Sequence, residues 1–167
     1  MQKIKQGFTL IELLIVMAII SIIAAVVFVA LDPLTRFRDS RDAARWTDTS
    51  ALVSAIKIDQ VDNGGFYMTP IQNLNNAEVY MIVDGAAPAD CASGNANCQV
   101  DVTDASHCVD LSSLVTQGYL GKVPVSPNGT GTWTKQLTGY TLEKSASGIL
   151  TVRSCEAENA PEIKVAR

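Results

Sequence analysis

One acidic residue, Glu12, stands inside an otherwise apolar run that extends from Phe8 to Leu31. A carboxylate in such a run is costly unless it is hydrated at an interface or paired with a cation. Hydration is the simpler interpretation if the helix begins at Met1. If the chain is instead cut between Gly7 and Phe8, a new α-ammonium appears four residues before Glu12, on the same helix face. The chemistry that this spacing allows is charge pairing between a carboxylate and an amino terminus.

The pairing of Glu12 with a new terminus could form within one chain or between neighbouring chains. The positive end of the helix dipole adds to the attraction in either case. Between chains, the pair would set the axial register of a bundle whose other contacts are apolar and lack direction. Loss of one partner would leave a desolvated charge, which costs about 3–5 kcal/mol.

The apolar run itself has the dimensions of a membrane span. As a helix, residues 8–31 would be about 36 Å long, and the hydrocarbon core of a bilayer is about 30 Å thick. Lys3 and Lys5 precede the run on a short flank, which places the N-terminus in the cytoplasm by the positive-inside rule. The rest of the chain is then expected on the other side of the membrane.

Two other interpretations of the N-terminus compete with this one. A secretory signal peptide needs small residues at the first and third positions before the cut. Cuts after Ala24, Ala25 or Ala30 would place Ile22, Ile23 or Phe28 at the third position, and each is too large. A plain single-span anchor fits the length but leaves Glu12 unexplained.

The segment Gly7-Phe8-Thr9-Leu10-Ile11-Glu12, after a short basic leader and before a long aliphatic run, closely resembles the processing site of type IV prepilins. It is also similar to that of the pseudopilins of type II secretion, and the short leader with Phe at the cut favours the type IVa-like branch. The resemblance covers about the first thirty residues. It implies that a prepilin peptidase cuts after Gly7 and methylates the amino group of Phe8, and that Glu12 assists assembly.

One feature departs from that family. Many relatives carry glycine or proline partway along the hydrophobic helix, whereas this chain has Ser21 and Val29 near those places and its first proline at Pro33. Because proline removes a donor and disfavours helix at the preceding residue, we expect a kink at Asp32-Pro33 rather than melting within 8–31.

The soluble remainder is acidic and contains all four cysteines of the chain. The net charge of the chain is −4, with an excess of acids after residue 45. This distribution argues against DNA binding through a broad basic face. The four cysteines fit two disulfides in an oxidising compartment, and we favour Cys91–Cys98 and Cys108–Cys155 among the three possible pairings. Free thiols and a zinc site are the alternatives, although no C-x-x-C spacing is present.

The remaining pattern predicts an α+β fold, in which a long N-terminal helix, half membrane-spanning and half amphipathic, packs on a small antiparallel sheet. We expect a leader at 1–7, the assembly helix at 8–31, its amphipathic continuation at 32–62 and a β-rich head at 63–167. The mixed charges from Arg36 to Asp48 are expected to form mainly a solvated face. Predicted smaller elements are strands at 79–83 and, more weakly, 99–103, a helix at 111–120, a hairpin of 140–144 with 149–154, and a mobile tail from 156.

These features together favour a structural function. The leading hypothesis is a subunit of a type IV pilus that is inserted in the inner membrane and polymerises through its first helix, in adhesion, motility or DNA uptake. The expected partners are the peptidase, the pilus assembly machinery, membrane lipid before assembly, and further copies of the chain. The alternative is a secretion pseudopilin or a minor tip pilin that acts as a binding module. An enzyme would have to use His107, the single histidine, in its active site, and we expect no catalytic residue, cofactor or metal. Pseudopilin relatives can bind calcium in a C-terminal loop. The matching region here has Ser126 and Asn128 in place of a carboxylate cluster, so we expect no calcium site.

Overall fold

A computed structural model describes residues 7–167. Lys3 and Lys5, which belong to the expected leader, lie outside the described part. The chain divides into two compact units, Met1–Phe37 and Arg38–Arg167. The described part of the first unit is helical from Leu10 onward. The second unit contains all five strands of one sheet.

The first helix, α1, spans Leu10–Leu31 without interruption, and none of its residues is buried. Asp32 then adopts a left-handed conformation with φ of 36°, and α2 begins at Pro33 and ends at Asp62. The predicted break at Asp32-Pro33 is therefore confirmed. It has the expected cause, because the proline ring is incompatible with a helical residue before it.

Helix α2 ends where the sequence indicates. The N–H of Gly65 donates to the carbonyl of Gln60 at 2.8 Å, and Gly64 and Gly65 have φ of 68° and 94°. Residues with a Cβ rarely adopt this left-handed backbone, so the glycine pair terminates the helix. Two short helices follow later in the chain, α3 at Thr69–Gln72 and α4 at Ser112–Thr116.

The sheet has the order β2-β1-β3-β4-β5. Its strands are β1 (Val79–Val83), β2 (Val109–Asp110), β3 (Tyr140–Lys144), β4 (Leu150–Ser154) and β5 (Lys164–Ala166). Only the β1–β2 pair is parallel; the other three pairings are antiparallel. The α+β prediction is confirmed, and so is the hairpin that forms β3 and β4.

Strand β1 lies at the centre of the head because both of its faces are covered. Tyr80 and Ile82 pack in a core with Leu52 and Ile56 of α2. Met81, next to them along the strand, packs in a second core with the cysteines and Trp133 on the opposite face. All five residues of β1 are buried, which explains why its sequence is continuously apolar instead of alternating.

Several smaller expectations were wrong. Residues 99–103 form no strand, and α4 is half the predicted length. It begins at Ser112, whose N–H donates to Asp110 Oδ1 at 2.8 Å. The tail is not mobile. Ile163 is fully buried, and β5 extends the sheet, with the Arg167 N–H donating to the Leu150 carbonyl at 3.0 Å. Short strands of this kind gain their stability from the sheet they join, which their own composition does not reveal.

Candidate processing and assembly site

Thr9 is the N-cap of α1, and it forms a reciprocal capping box with Glu12. The Thr9 N–H donates to Glu12 Oε2 at 2.8 Å, and the Thr9 hydroxyl donates to the same oxygen at 2.7 Å. In return, the Glu12 N–H donates to Thr9 Oγ1 at 3.3 Å. These bonds satisfy two of the backbone donors that every helix leaves free at its N-terminus. Glu12 is therefore held beside the start of the helix in the uncut chain.

Gly7 and Phe8 precede this cap in non-helical backbone. Both residues are exposed, and Phe8 is 88% accessible. Among the described residues, and apart from the chain neighbours of Gly7, no atom lies within 4 Å of the position where a Cβ on Gly7 would stand. Both residues of the Gly7–Phe8 bond are thus exposed within the described part, and the residue that follows Phe8 is the one whose N–H the Glu12 carboxylate already accepts.

The surface of α1 is apolar on all sides. Each of its 22 residues is exposed, and the only polar side chains on it are Glu12 in the first turn and Ser21, whose hydroxyl donates to the Met17 carbonyl at 2.8 Å. By length and composition it is a helix that can cross a membrane. A helix that is hydrophobic around its whole circumference requires an apolar environment, which is lipid or other helices.

The two disulfides of the head are Cys91–Cys108 and Cys98–Cys155, so the pairing favoured from the sequence was wrong. The prediction joined Cys91 to Cys98 because the two are close in the sequence. The loop after Cys91 folds back on itself instead, and the Cys91 N–H donates to the carbonyl of Ala105 at 2.8 Å, near Cys108 in the chain. The N–H of Gln99 meanwhile donates to the carbonyl of Cys155 at 2.8 Å. This bond places Cys98 at the end of β4.

An ionic cluster, which we define as Arg41, Asp42, Arg45, Glu156 and Glu158, joins α2 to the segment after the last cysteine. The guanidinium of Arg45 is fully buried and donates to Asp42 at 2.8 Å, Glu158 at 2.9 Å and Glu156 at 3.0 Å. It also donates to the Pro127 carbonyl and to the Ser126 hydroxyl. The expectation of a solvated face was therefore wrong for Asp42 and Arg45. Both are buried, and apart from their contact with each other the partners of their side chains are more than eighty positions away in the sequence.

The carboxylate of Asp42 receives the backbone of the C-terminal segment. The N–H groups of Glu158, Asn159 and Ala160 donate to it at 2.8–3.1 Å. Burial opposes ionisation of Asp42, but these three donors and Arg45 outweigh it and hold its pKa below the ordinary value. The hydrogen bond from Arg41 likewise lowers the pKa of Glu158. Both groups are therefore ionised at neutral pH, and the cluster carries a net charge of −1.

This ionic cluster was not predicted from the sequence. The available signal was the acidic segment Glu156–Glu158 directly after Cys155, together with an aspartate and an arginine three positions apart on α2. Acids that follow a cystine are held close to the fold by it, so they are better placed than most surface acids to reach a buried arginine. Among the described residues no group of three or more histidine, cysteine or acidic side chains is arranged to hold a metal.

Comparison with known proteins identifies the N-terminus. Residues 2–28 match the family model of the prokaryotic N-terminal methylation motif. This motif is the type IV prepilin signature, so the resemblance drawn from Gly7, Phe8 and Glu12 is confirmed for that segment. No curated protein and no solved structure matches the chain.

Proposed function

We propose that this chain, which carries the prepilin methylation motif, is a structural subunit of a type IV pilus and not an enzyme. The precursor is anchored in the inner membrane by α1 and cut between Gly7 and Phe8, and the new terminus on Phe8 is methylated. Residues 1–7 are the leader, 8–31 the assembly helix, 32–62 its continuation and 63–167 the head that the filament displays. The observation that carries this proposal is the combination of the motif with a fully exposed apolar helix.

The exposed apolar surface of α1 provides the driving force for membrane insertion. Burial of apolar surface from water is worth about 25 cal/mol per Å², so an unshielded α1 is unstable in water. Transfer from lipid to the core of a filament gains little of this energy, because lipid is already apolar. Assembly therefore depends on helix packing, on the pairing of Glu12 and on an external motor that extracts the subunit.

The capping geometry explains how the Glu12 carboxylate can be satisfied both before and after the cut between Gly7 and Phe8. Before the cut, the carboxylate is satisfied by the N–H and hydroxyl of Thr9. After the cut, an ammonium stands on Phe8, one residue before the N–H that Glu12 accepts. Oε1 of Glu12 makes no hydrogen bond within the described residues, so the carboxylate can receive an ammonium from a neighbouring chain while the cap stays intact.

The head is built to persist outside the cell. Two disulfides and the buried ionic cluster fasten the loops and the C-terminal segment to α2 and the sheet. Disulfides of this kind persist in oxidising compartments, which agrees with export of the head. We propose the corresponding topology, with the N-terminus in the cytoplasm, on the basis of Lys3 and Lys5, which precede the described residues.

The composition of surface fibres tests this proposal. Fibres sheared from cells that express the chain should consist mainly of it, and deletion of its gene should abolish them. Trace amounts confined to fibre tips, or to a secretion complex, would replace the proposal with a minor pilin or a pseudopilin. Retention of the entire chain in the membrane fraction under conditions in which fibres form would contradict it.

A further inference from the structure

An open cavity of about 590 Å³ lies within the head, where the last turns of α2 meet α3 and α4. Asp59 of α2 and Ser113 of α4 line one part of it. Phe66, Met68 and Pro70, which precede or begin α3, line another part. The cavity belongs to the second compact unit, and nothing in the assembly chemistry of α1 uses it.

Two buried polar atoms at this cavity lack a hydrogen-bond partner. Asp59 is fully buried, and its Oδ1 accepts from the Asn63 amide at 2.9 Å. Its Oδ2, by contrast, has no hydrogen-bond partner among residues 7–167, and the same is true of the Ser113 hydroxyl. Buried polar atoms in native proteins are nearly always satisfied. Asp59 Oδ2 can only accept as a carboxylate oxygen and the Ser113 hydroxyl can accept as well, so the pair indicates a ligand that donates hydrogen bonds.

The electrostatics of the cavity indicate that this ligand is a cation. The pKa of Asp59 is raised above its ordinary value, first by burial and also by the negative charge of Asp62. Hydrogen bonds from the Asn63 side chain and the Met68 backbone oppose this rise but do not cancel it. Asp59 also lies in the last turn of α2, where the negative end of the helix dipole disfavours a carboxylate. No lysine or arginine is among the residues that line this cavity in the described chain.

We propose that this cavity binds a small primary ammonium ion, which donates hydrogen bonds to Asp59 Oδ2 and Ser113 Oγ. The alkyl part of the ligand lies against Phe66, Met68 and Pro70, and the ring of Phe66 offers a favourable face to the charge. A divalent metal fits less well, because calcium takes six to eight oxygen ligands and Asp59 is the single carboxylate that lines the cavity in the described chain.

The chain already holds one ammonium against an aromatic ring at the edge of this site. Lys57 Nζ lies 4.9 Å from the centre of the Tyr67 ring and donates to its hydroxyl at 2.5 Å. Tyr67 is thus occupied, and the ligand uses Phe66 instead. Both unpartnered atoms are shielded from bulk water, so binding requires movement of a side chain that lines the cavity. Phe66 is one of the exposed lining side chains, at 70%.

Titration of the full ¹⁵N-labelled chain in neutral detergent micelles with propylammonium chloride tests this proposal. The expected result is saturable amide shifts confined to residues 59–69 and 111–117. Equal concentrations of 1-propanol and of sodium chloride are the controls for the alkyl chain and for ionic strength, and neither should produce a saturable shift. Shifts that rise linearly to the highest concentration, or equal binding of 1-propanol, would overturn the proposal.

Two variants assign the binding to the two unpartnered atoms. Asp59→Asn removes the charge with little change of volume and should weaken propylammonium binding by about tenfold or more. Asp101→Asn, which changes an exposed carboxylate that does not line the cavity, is the matched control and should bind like the wild type. Ser113→Ala, which should fold even if Asp59→Asn does not, is expected to weaken binding by a smaller factor. Unchanged affinity in Ser113→Ala and in a folded Asp59→Asn would contradict the assignment.

Discussion

Thr9 and Glu12 cap α1 reciprocally, with the Thr9 N–H donating to Glu12 Oε2 at 2.8 Å and the Glu12 N–H donating to Thr9 Oγ1 at 3.3 Å. The carboxylate is thereby fixed next to the residue that would become the second of the cut chain. An acid in this position has two separable roles. It caps the helix through hydrogen bonds, and it offers a charge to a new amino terminus.

Substitution of Glu12 separates the two roles. Glu12→Gln keeps a hydrogen-bond acceptor for the cap but removes the charge, and Glu12→Ala removes both. We expect both variants to insert in the membrane and to be cut, and both to fail in assembly, because an unpaired desolvated ammonium costs about 3–5 kcal/mol. The measurement is the ratio of chain in sheared fibres to chain in membranes.

Thr9→Ala is the matched control for that experiment. It removes the side-chain cap, at a cost of about 1 kcal/mol to the helix, and leaves the charge of Glu12 in place. Assembly should be largely retained. Normal fibres from Glu12→Gln, together with few fibres from Thr9→Ala, would show that capping and not charge is what assembly requires.

Removal of the buried guanidinium should destabilise the head strongly. Arg45→Met leaves the carboxylates of Asp42, Glu156 and Glu158 without their shared cation, and we expect a loss of about 3–5 kcal/mol in the free energy of unfolding. Urea denaturation of the full chain in detergent, followed by tryptophan fluorescence, measures it. Arg38→Met, an exposed arginine on the same helix, should change stability by about 0.5 kcal/mol or less. Equal stability of the two variants would refute the role of Arg45.

The ionic cluster should also make the stability of the head dependent on acid. The folded pKa values of Asp42 and Glu158 lie below their unfolded values, so the folded state binds fewer protons. The unfolded values lie near about 4, so the stabilisation is complete above about pH 5 and is lost as pH falls through the folded values. The free energy of unfolding, measured at a series of pH values, should therefore fall as the solution is made more acidic than about pH 5.

Asp42→Asn should be less stable than the wild type at pH 7 and should show a flatter dependence on acid. Asp101→Asn, which changes an exposed carboxylate, should leave both the stability and its slope unchanged. A wild-type curve that is flat below pH 5, or an Asp42→Asn curve that parallels it, would mean that the cluster does not control acid stability.

The disulfide pairing gives a prediction that peptide mapping can check directly. Digestion without reduction should release peptides linked through Cys91–Cys108 and through Cys98–Cys155. Because these bonds span 17 and 57 residues, double serine replacement of the second pair should cost about 1 kcal/mol more by loop entropy. Linked peptides that join Cys91 with Cys98 would restore the pairing that the sequence favoured.

Local signals in the sequence predicted the elements that depend on local physics. The apolar length of α1, the proline after Asp32, the glycine pair after Asp62 and the apolar run of β1 each act through neighbouring residues, and each appears in the structure where expected. The processing motif belongs to the same class, since its residues lie in a fixed order before the helix. The fold class followed from these elements.

What depends on long-range contacts could not be predicted in this way. The partner of Cys98 is set by where β4 ends, and burial of Arg45 is set by acids that follow Cys155. The tail looked mobile because nothing in its own sequence reveals that β4 offers it a free edge. The cavity beside Asp59 is of the same kind, because its lining brings together Asp59 of α2 and Ser113 of α4, which are far apart in the sequence.

Mass spectrometry of the N-terminal peptide, taken from the chain in assembled fibres, tests the central claim most directly. The account predicts a peptide that begins at Phe8 and carries one methyl group on its amino nitrogen, with Glu12 unmodified. A fibre chain that still begins at Met1, or one cut at any bond other than Gly7–Phe8, would contradict it, since Glu12 would then have no ammonium on Phe8 to pair with.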